Sequence, residues 1–280
     1  MKLSFLRSFL VTTTLVLLVS GCATPVGVKV VDSQEAYRIQ TESALATGNL
    51  SEASKKLLRR QGLLDQFESQ PTQVIAQLHR GLKPQGDDDR LFALAELAFQ
   101  HAERADDRAY FLASAVYAWA LLFPEDGSGV QLQPSDPRLR LTYDFYNQAL
   151  ARGLGQGTDG GELRLQAGRY PLPFGTLEIS LNPSGLIWGG YRLEHFVPTT
   201  VLEVRGFRNR YKTPGLGAPV AASLARGPAV ANIPGAKRLG PRTKVPVTVL
   251  LRLDRARANL VSGRLKGHVE VLTKDETPTV

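Results

Sequence analysis

Cys22 is the only cysteine in 280 residues, and it follows Val19-Ser20-Gly21, residues of modest bulk. A thiol in that setting can take a thioether-linked diacylglycerol. Once the chain is cut before it, its free amine can take a third acyl chain. No other residue has a setting that specifies a reaction. His79, His101, His195 and His268 are scattered. Glu194-His195 falls in a strand pattern, where neighbouring side chains face opposite ways, so no dyad is expected there. No serine occupies a G-x-S-x-G elbow, and neither H-E-x-x-H nor C-x-x-C occurs. Gly155-Gln156-Gly157-Thr158-Asp159-Gly160 matches G-x-G-x-x-G. A dinucleotide site needs a strand before that motif and a helix after it, and here the order is reversed. We expect no catalytic residue, no cofactor and no metal in this chain.

The densest cationic motif is Arg205-Gly206-Phe207-Arg208-Asn209-Arg210-Tyr211-Lys212. Arg205, Arg208, Arg210 and Lys212 form a candidate anion-binding loop, since guanidinium groups pair with phosphate or carboxylate. The same alternation on an edge strand would deter edge-to-edge pairing, and that reading is the favoured one. A second basic run holds nine Lys or Arg between Lys237 and Lys266, against Asp254 alone. No aromatic residue interleaves that run for base stacking, so no nucleic-acid partner is expected. A solvated strand face with its loops accounts for it.

The start of the chain sets the address. Lys2 and Arg7 form a positive region, and Phe9 to Val19 is apolar or Thr without charge. That run is shorter than the roughly 20 residues of a membrane span and fits a signal peptide. With Leu15 to Cys22 it resembles a bacterial lipoprotein signal ending in a lipobox. Cys22 is then the lipidation site, and two or more acyl chains give stable anchoring. Ala23, in place of Asp, implies the outer membrane, facing the periplasm. The whole chain carries a net charge of +8. An exported chain meets an oxidising compartment, and one whose only thiol is lipidated must be stabilised by packing alone.

The elements that position everything else fall into two regimes. Residues 1–21 are signal and 22–32 a tether. From 33 to 154 apolar residues recur at helical spacing. Ser33 is a candidate cap for the first helix. Ser51 opens a second that carries Leu57, Leu58, Leu63 and Leu64. Pro71 starts a third, Asp87-Asp88-Asp89 a fourth, Asp106-Asp107 a fifth and Ser135-Asp136-Pro137 a sixth. Small and large residues alternate in the fourth and fifth, which suits tetratricopeptide-like helix hairpins without a strict 34-residue repeat. Residues 155–161 read as a glycine-rich linker. From 162 to 274 the pattern is of strands, including 176–181, 192–197, 200–204, 245–253 and 267–272. A short tail, 275–280, ends the chain. The expected class is α+β, an N-terminal all-helical region followed by a small, mostly antiparallel β domain.

Several of these pieces together resemble the N-terminal region of a family of large proteobacterial lipoproteins. They are the lipobox, Leu94 to Ala98, the Ala113–Pro124 helix, Tyr146-Asn147-Gln148-Ala149-Leu150, and Arg208 to Tyr211 running on to Gly215-Leu216-Gly217-Ala218-Pro219. Members of that family carry an α/β-hydrolase domain after this region. Its nucleophile elbow, acid and histidine have no counterparts here, and Val280 falls where that domain would begin, so no catalytic residue is carried over. The resemblance implies a membrane-anchored scaffold with a protein partner on its helical region. The alternative is the anchor half of a truncated esterase-like lipoprotein, inactive alone.

Overall fold

The computed structural model describes residues 27–83, 86–125, 132–156, 161–202, 215–225 and 243–273. Two compact units divide between Ile39 and Gln40. In the first, the chain enters helix α1 (Ser33–Thr41). The cap is Asp32, not the expected Ser33. Its Oδ1 accepts the backbone N–H of Gln34 and of Glu35, each at 2.9 Å, and satisfies donors that a helix start leaves orphaned.

The second unit begins with a layer of three helices, α2 (Glu52–Gln61), α3 (Leu64–Ser69) and α4 (Pro71–Arg80). Ser51 caps α2. Gly62, at φ +66°, ends it in the left-handed region that glycine enters without strain. Leu63 and Leu64 therefore leave the second helix, contrary to expectation, and Leu64 starts α3. The middle layer is α5 (Asp88–Ala105), α6 (Arg108–Leu122) and α7 (Pro137–Gly153). Asp107 and Asp136 cap α6 and α7 through the backbone N–H of Ala109 and Arg138. Every residue from Leu91 to Gln100 on α5 and from Phe111 to Leu121 on α6 is buried. The central run of α6 is almost wholly apolar, and such a helix is stable only when covered all round. The outer layer packs on α5, the sheet packs on α6 and α7, and one hydrophobic core runs through all three layers. At Gly153 of α7 a Cβ would lie 2.8 Å from the Leu112 side chain; the missing side chain lets α6 and α7 close up.

The strands are β1 (Gly155–Gln156), β2 (Glu162–Leu163), β3 (Gly168–Leu172), β4 (Gly175–Leu181), β5 (Ile187–Trp188), β6 (Tyr191–Pro198), β7 (Ala218–Leu224), β8 (Lys244–Leu253) and β9 (Arg264–Thr273). They form one curled sheet in the order β1-β2-β6-β7-β8-β9-β4-β3, with β5 paired to β6. Neighbours are antiparallel except β4 and β9, which run parallel from Thr176↔Arg264 to Leu181↔Val269. The α+β class therefore holds, helices first and strands after. Alternate residues, Leu177 and Ile179 of β4, Val247, Val249 and Leu251 of β8, and Leu265 and Val269 of β9, are buried, as a face packed on the helices requires, while Leu250 of β8 is buried from the opposite face. Gly155 and Gln156, at the head of the glycine-rich stretch, pair with Leu163 and Glu162.

Three elements differ from expectation. Thr199–Val201 is a 3-10 turn where a strand was expected from Thr200. Ala218–Leu224 is a central strand. Between β8 and β9 a short helix, α8 (Ala256–Ser262), packs on α6. Its Arg257 is buried. Nε donates to the Ala120 carbonyl at 2.6 Å, and the guanidinium meets Asp88 at 2.6 Å.

Candidate functional site

Besides the buried Arg257, three enclosed polar clusters and one cavity are the inner places where chemistry could be sought among the described residues. The first is Glu96 in the middle of α5, fully buried. Its carboxylate accepts the Ser51 hydroxyl (2.5 Å), the Ser54 hydroxyl (2.6 Å), and the backbone N–H of Ala44 and of Ser51 (both 3.0 Å). Burial raises the carboxyl above its ordinary range, against the pull of these donors. All four donors come from one short stretch, so Glu96 fixes the entry to α2 against α5. With its oxygens satisfied, this acid has no open position to offer a substrate.

The second place joins α7 to the sheet. The Tyr146 hydroxyl, fully buried, donates to the Leu251 carbonyl (2.6 Å) and accepts the Leu251 N–H (2.9 Å). Pairing of β7 with β8 stops at Ala218↔Val249, so the phenol substitutes for the strand residue that would come next. Beside it the Asn147 amide donates to the Gly215 carbonyl (2.8 Å) and accepts the Gly217 N–H (2.6 Å). Gly217 has φ +115°, and a Cβ there would meet Thr248 at 2.5 Å. Two stretches far apart in the sequence, Tyr146-Asn147 and Gly215 to Ala218, thus meet in space, and their role there is to close the sheet onto the helices.

The third place is a half-buried histidine. His79 on α4 stacks on Phe174 (centroids 4.3 Å apart) and its Nδ1 lies 2.9 Å from the Tyr117 hydroxyl. Burial pushes Tyr117 well up and His79 down. At neutral pH the phenol is therefore the donor and the neutral imidazole the acceptor. The pair has the elements of a proton relay but is stacked and enclosed by aromatic rings.

The fourth is a cavity of about 400 Å³ where α6 begins and α7 ends. It is lined by Arg108, Leu112, Gly153, Leu154, Gly155, Gln156, Arg164 and Tyr170, among others. Leu112, Gly153, Leu154 and Gly155 are buried and form its inner part, while Arg108, Gln156 and Arg164 are exposed. The Tyr170 hydroxyl donates to the Gln166 carbonyl at 2.9 Å. At Gly153 the bare backbone is covered by the Leu112 side chain, which packs where a Cβ would stand. The cavity's inner lining is apolar, and the exposed Arg108, Gln156 and Arg164 stand at its margin.

Glu194 and His195 do not alternate as expected. The β6–β7 register slips between Glu194 and Val197, and His195 has φ +53°. That turns the imidazole between two carboxylates, with Nδ1 3.1 Å from Glu162 and Nε2 3.9 Å from Glu194. The ring is 61% exposed, and the cluster is an open surface arrangement. His268 contacts Glu270 at 3.1 Å on the outer sheet face, and His101 meets Tyr110 edge-on.

Cys22 and the candidate loop residues Arg205, Arg208, Arg210 and Lys212 lie outside the described residues, as does the centre of the G-x-G-x-x-G match. The Asn147 clamp grips the backbone at Gly215 and Gly217, just after that loop. The cavity went unread in the sequence because Arg108, Gln156 and Arg164 are separated by whole elements. The only local signal was the close spacing of Gly153, Gly155 and Gly157. No family model, curated protein or solved structure matches this chain.

Proposed function

We propose that the chain is a lipid-anchored protein of the bacterial cell envelope, tethered through Cys22, whose folded unit acts as a non-catalytic scaffold for a protein partner. The observation that carries this reading is the sequence from Lys2 to Cys22, a charged start, an uncharged apolar run and small residues before a single cysteine. Diacylglycerol on the thiol and an acyl chain on the amine would together give durable anchoring. Ala23 directs the reading to the outer membrane, periplasmic side.

The scaffold part is supported by how the polar interior is used. Glu96, Tyr146, Asn147 and Arg257 all bind backbone or neighbouring side chains of the fold itself. The tetratricopeptide-like part of the reading is supported by α5 and α6, which are linked by only Asp106 and Asp107 and packed face to face, the arrangement of a helix hairpin. Because the central runs of both helices are buried, the partner face in this reading is the outer layer α2–α4, with exposed Arg59, Arg60, Gln73 and Gln77.

Replacement of Cys22 by Ala tests the anchor. Metabolic labelling with palmitate should mark the wild-type chain, and Cys22→Ala should lose the label and accumulate as precursor. Equal labelling of the variant would contradict the assignment.

A further inference from the structure

We propose that His195 and Glu194 together bind a divalent transition-metal ion of the zinc type, with Glu162 orienting the imidazole from behind. In a regular strand the two neighbours would face opposite ways. The register slip between Glu194 and Val197 and the φ of +53° at His195 end that alternation. One ring now stands between two carboxylates, with Glu162 Oε1 3.1 Å from Nδ1 and Glu194 Oε1 3.9 Å from Nε2. A residue other than glycine held in the left-handed region is strained, and such strain gathers where a side chain has to be aimed.

The two carboxylates have different uses. Glu162 is within hydrogen-bond reach of Nδ1, and an ionised carboxylate can only accept. Nδ1 therefore carries the proton, and the neutral ring keeps its lone pair on Nε2. A carboxylate behind a histidine in this way fixes the tautomer and orientation of a metal ligand. Glu194, at 3.9 Å, is too far to hydrogen-bond Nε2. Two ligands at about 2.0–2.1 Å from one tetrahedral ion stand about 3.3–3.4 Å apart, so a shift of about 0.5 Å by the carboxylate closes the site. The Glu194 side chain is 43% exposed and has room to make it. Among the described residues no group of three ligating side chains could hold a metal, so the chain supplies two ligands and water the rest. One imidazole nitrogen with one carboxylate oxygen suits Zn2+ or Cu2+ better than Mg2+ or Ca2+, which take oxygen shells. His268 is the contrast: its Nε2 lies 3.1 Å from Glu270, and that acid already accepts from Arg252 at 2.8 Å.

The test is calorimetric titration of the untagged full chain with Zn2+ in an uncharged detergent at pH 7.5. Binding elsewhere, at Cys22 or another histidine, is common to wild type and variants and cancels in the comparison. We expect one Zn2+ per chain to bind at this site with a Kd below about 1 mM. His195→Asn should abolish it, since Asn tolerates the left-handed backbone but lacks the imidazole. Glu194→Gln should weaken it at least tenfold. Glu162→Ala should weaken it about tenfold, and Glu162→Gln should recover part of that loss, because its amide oxygen still accepts from Nδ1. Mg2+ should give no comparable heat. Unchanged Zn2+ binding in His195→Asn or in Glu194→Gln would overturn the site, as would equal binding of Mg2+ and Zn2+. Equal losses in Glu162→Ala and Glu162→Gln would overturn the orienting role. Should His195→Asn melt early, the Glu194 and Glu162 variants decide, since neither residue carries the strained backbone.

Discussion

Glu96 and Tyr146 are both fully buried and both bridge elements, yet they hold the molecule together in different ways. Glu96 draws its four donors from Ala44 to Ser54, a single stretch that packs on α5. Tyr146 and its neighbour Asn147 reach Gly215, Gly217 and Leu251, residues about 70 to 105 positions away in the chain. One fixture fastens the outer helical layer; the other couples the helices to the sheet. A buried acid also leaves four donors stranded when removed, whereas a buried phenol leaves one N–H and one C=O. The acid should matter more in free energy and the phenol more in cooperativity.

That contrast can be broken by substitution. Glu96→Ala should have the largest effect, about 3 kcal/mol or more, because each buried donor left without an acceptor costs roughly 1–3 kcal/mol. Amide exchange should accelerate first from Ala44 to Ser54 while the sheet stays protected, a local opening of the outer layer. Exchange that rises everywhere at once would contradict the local role. Tyr146→Phe should cost about 2 kcal/mol by leaving both Leu251 groups unpaired. Here protection should fall together in α7, β7 and β8. Confinement of the loss to α7 would show that the coupling between helices and sheet lies elsewhere.

The smallest effect concerns His79. Its folded-state pKa is lowered by burial, so the folded chain binds fewer protons than the unfolded chain below pH 6.5. Stability must then fall as pH drops below that value. Thermal melts at pH 7.5 and 5.5 should show a loss for the wild type and a smaller loss for His79→Phe, which keeps a ring against Phe174. His101, lowered by the same cause, adds to the slope that remains, and the buried Glu96, whose carboxyl is raised, opposes it. An identical slope in both proteins would remove His79 from the account.

The helical layers were legible because their signals are local. Apolar residues at 3.6 spacing, Pro71, Asp107 and Asp136 each mark a start within a few residues. The misreadings there came from single positions, Gly62 ending α2 early and Asp32 capping in place of Ser33. The sheet was less legible because its partners are distant. The Ala-Pro-Val-Ala-Ala-Ser-Leu run of β7 (Ala218–Leu224) is too poor in β-branched and aromatic residues to announce a strand, and it is recruited by pairing with β6 and β8. The parallel register of β4 and β9 joins segments some 90 residues apart, and α8 is only seven residues long. The candidate cavity was hidden for the same reason, since its cations come from the start of α6 and the segment after β2. Nothing local in Tyr146-Asn147 or in Gly215 to Ala218 indicates that they touch, since about 70 residues separate them.

The central claim is that this folded unit is carried on a lipid attached at Cys22. Intact-mass and N-terminal peptide analysis of the chain extracted from membranes tests it most directly. We predict a polypeptide that begins at Cys22 and bears the added mass of a diacylglycerol with an acyl chain on its amine. An unmodified Cys22 within a chain that retains residues 1–21 would contradict it.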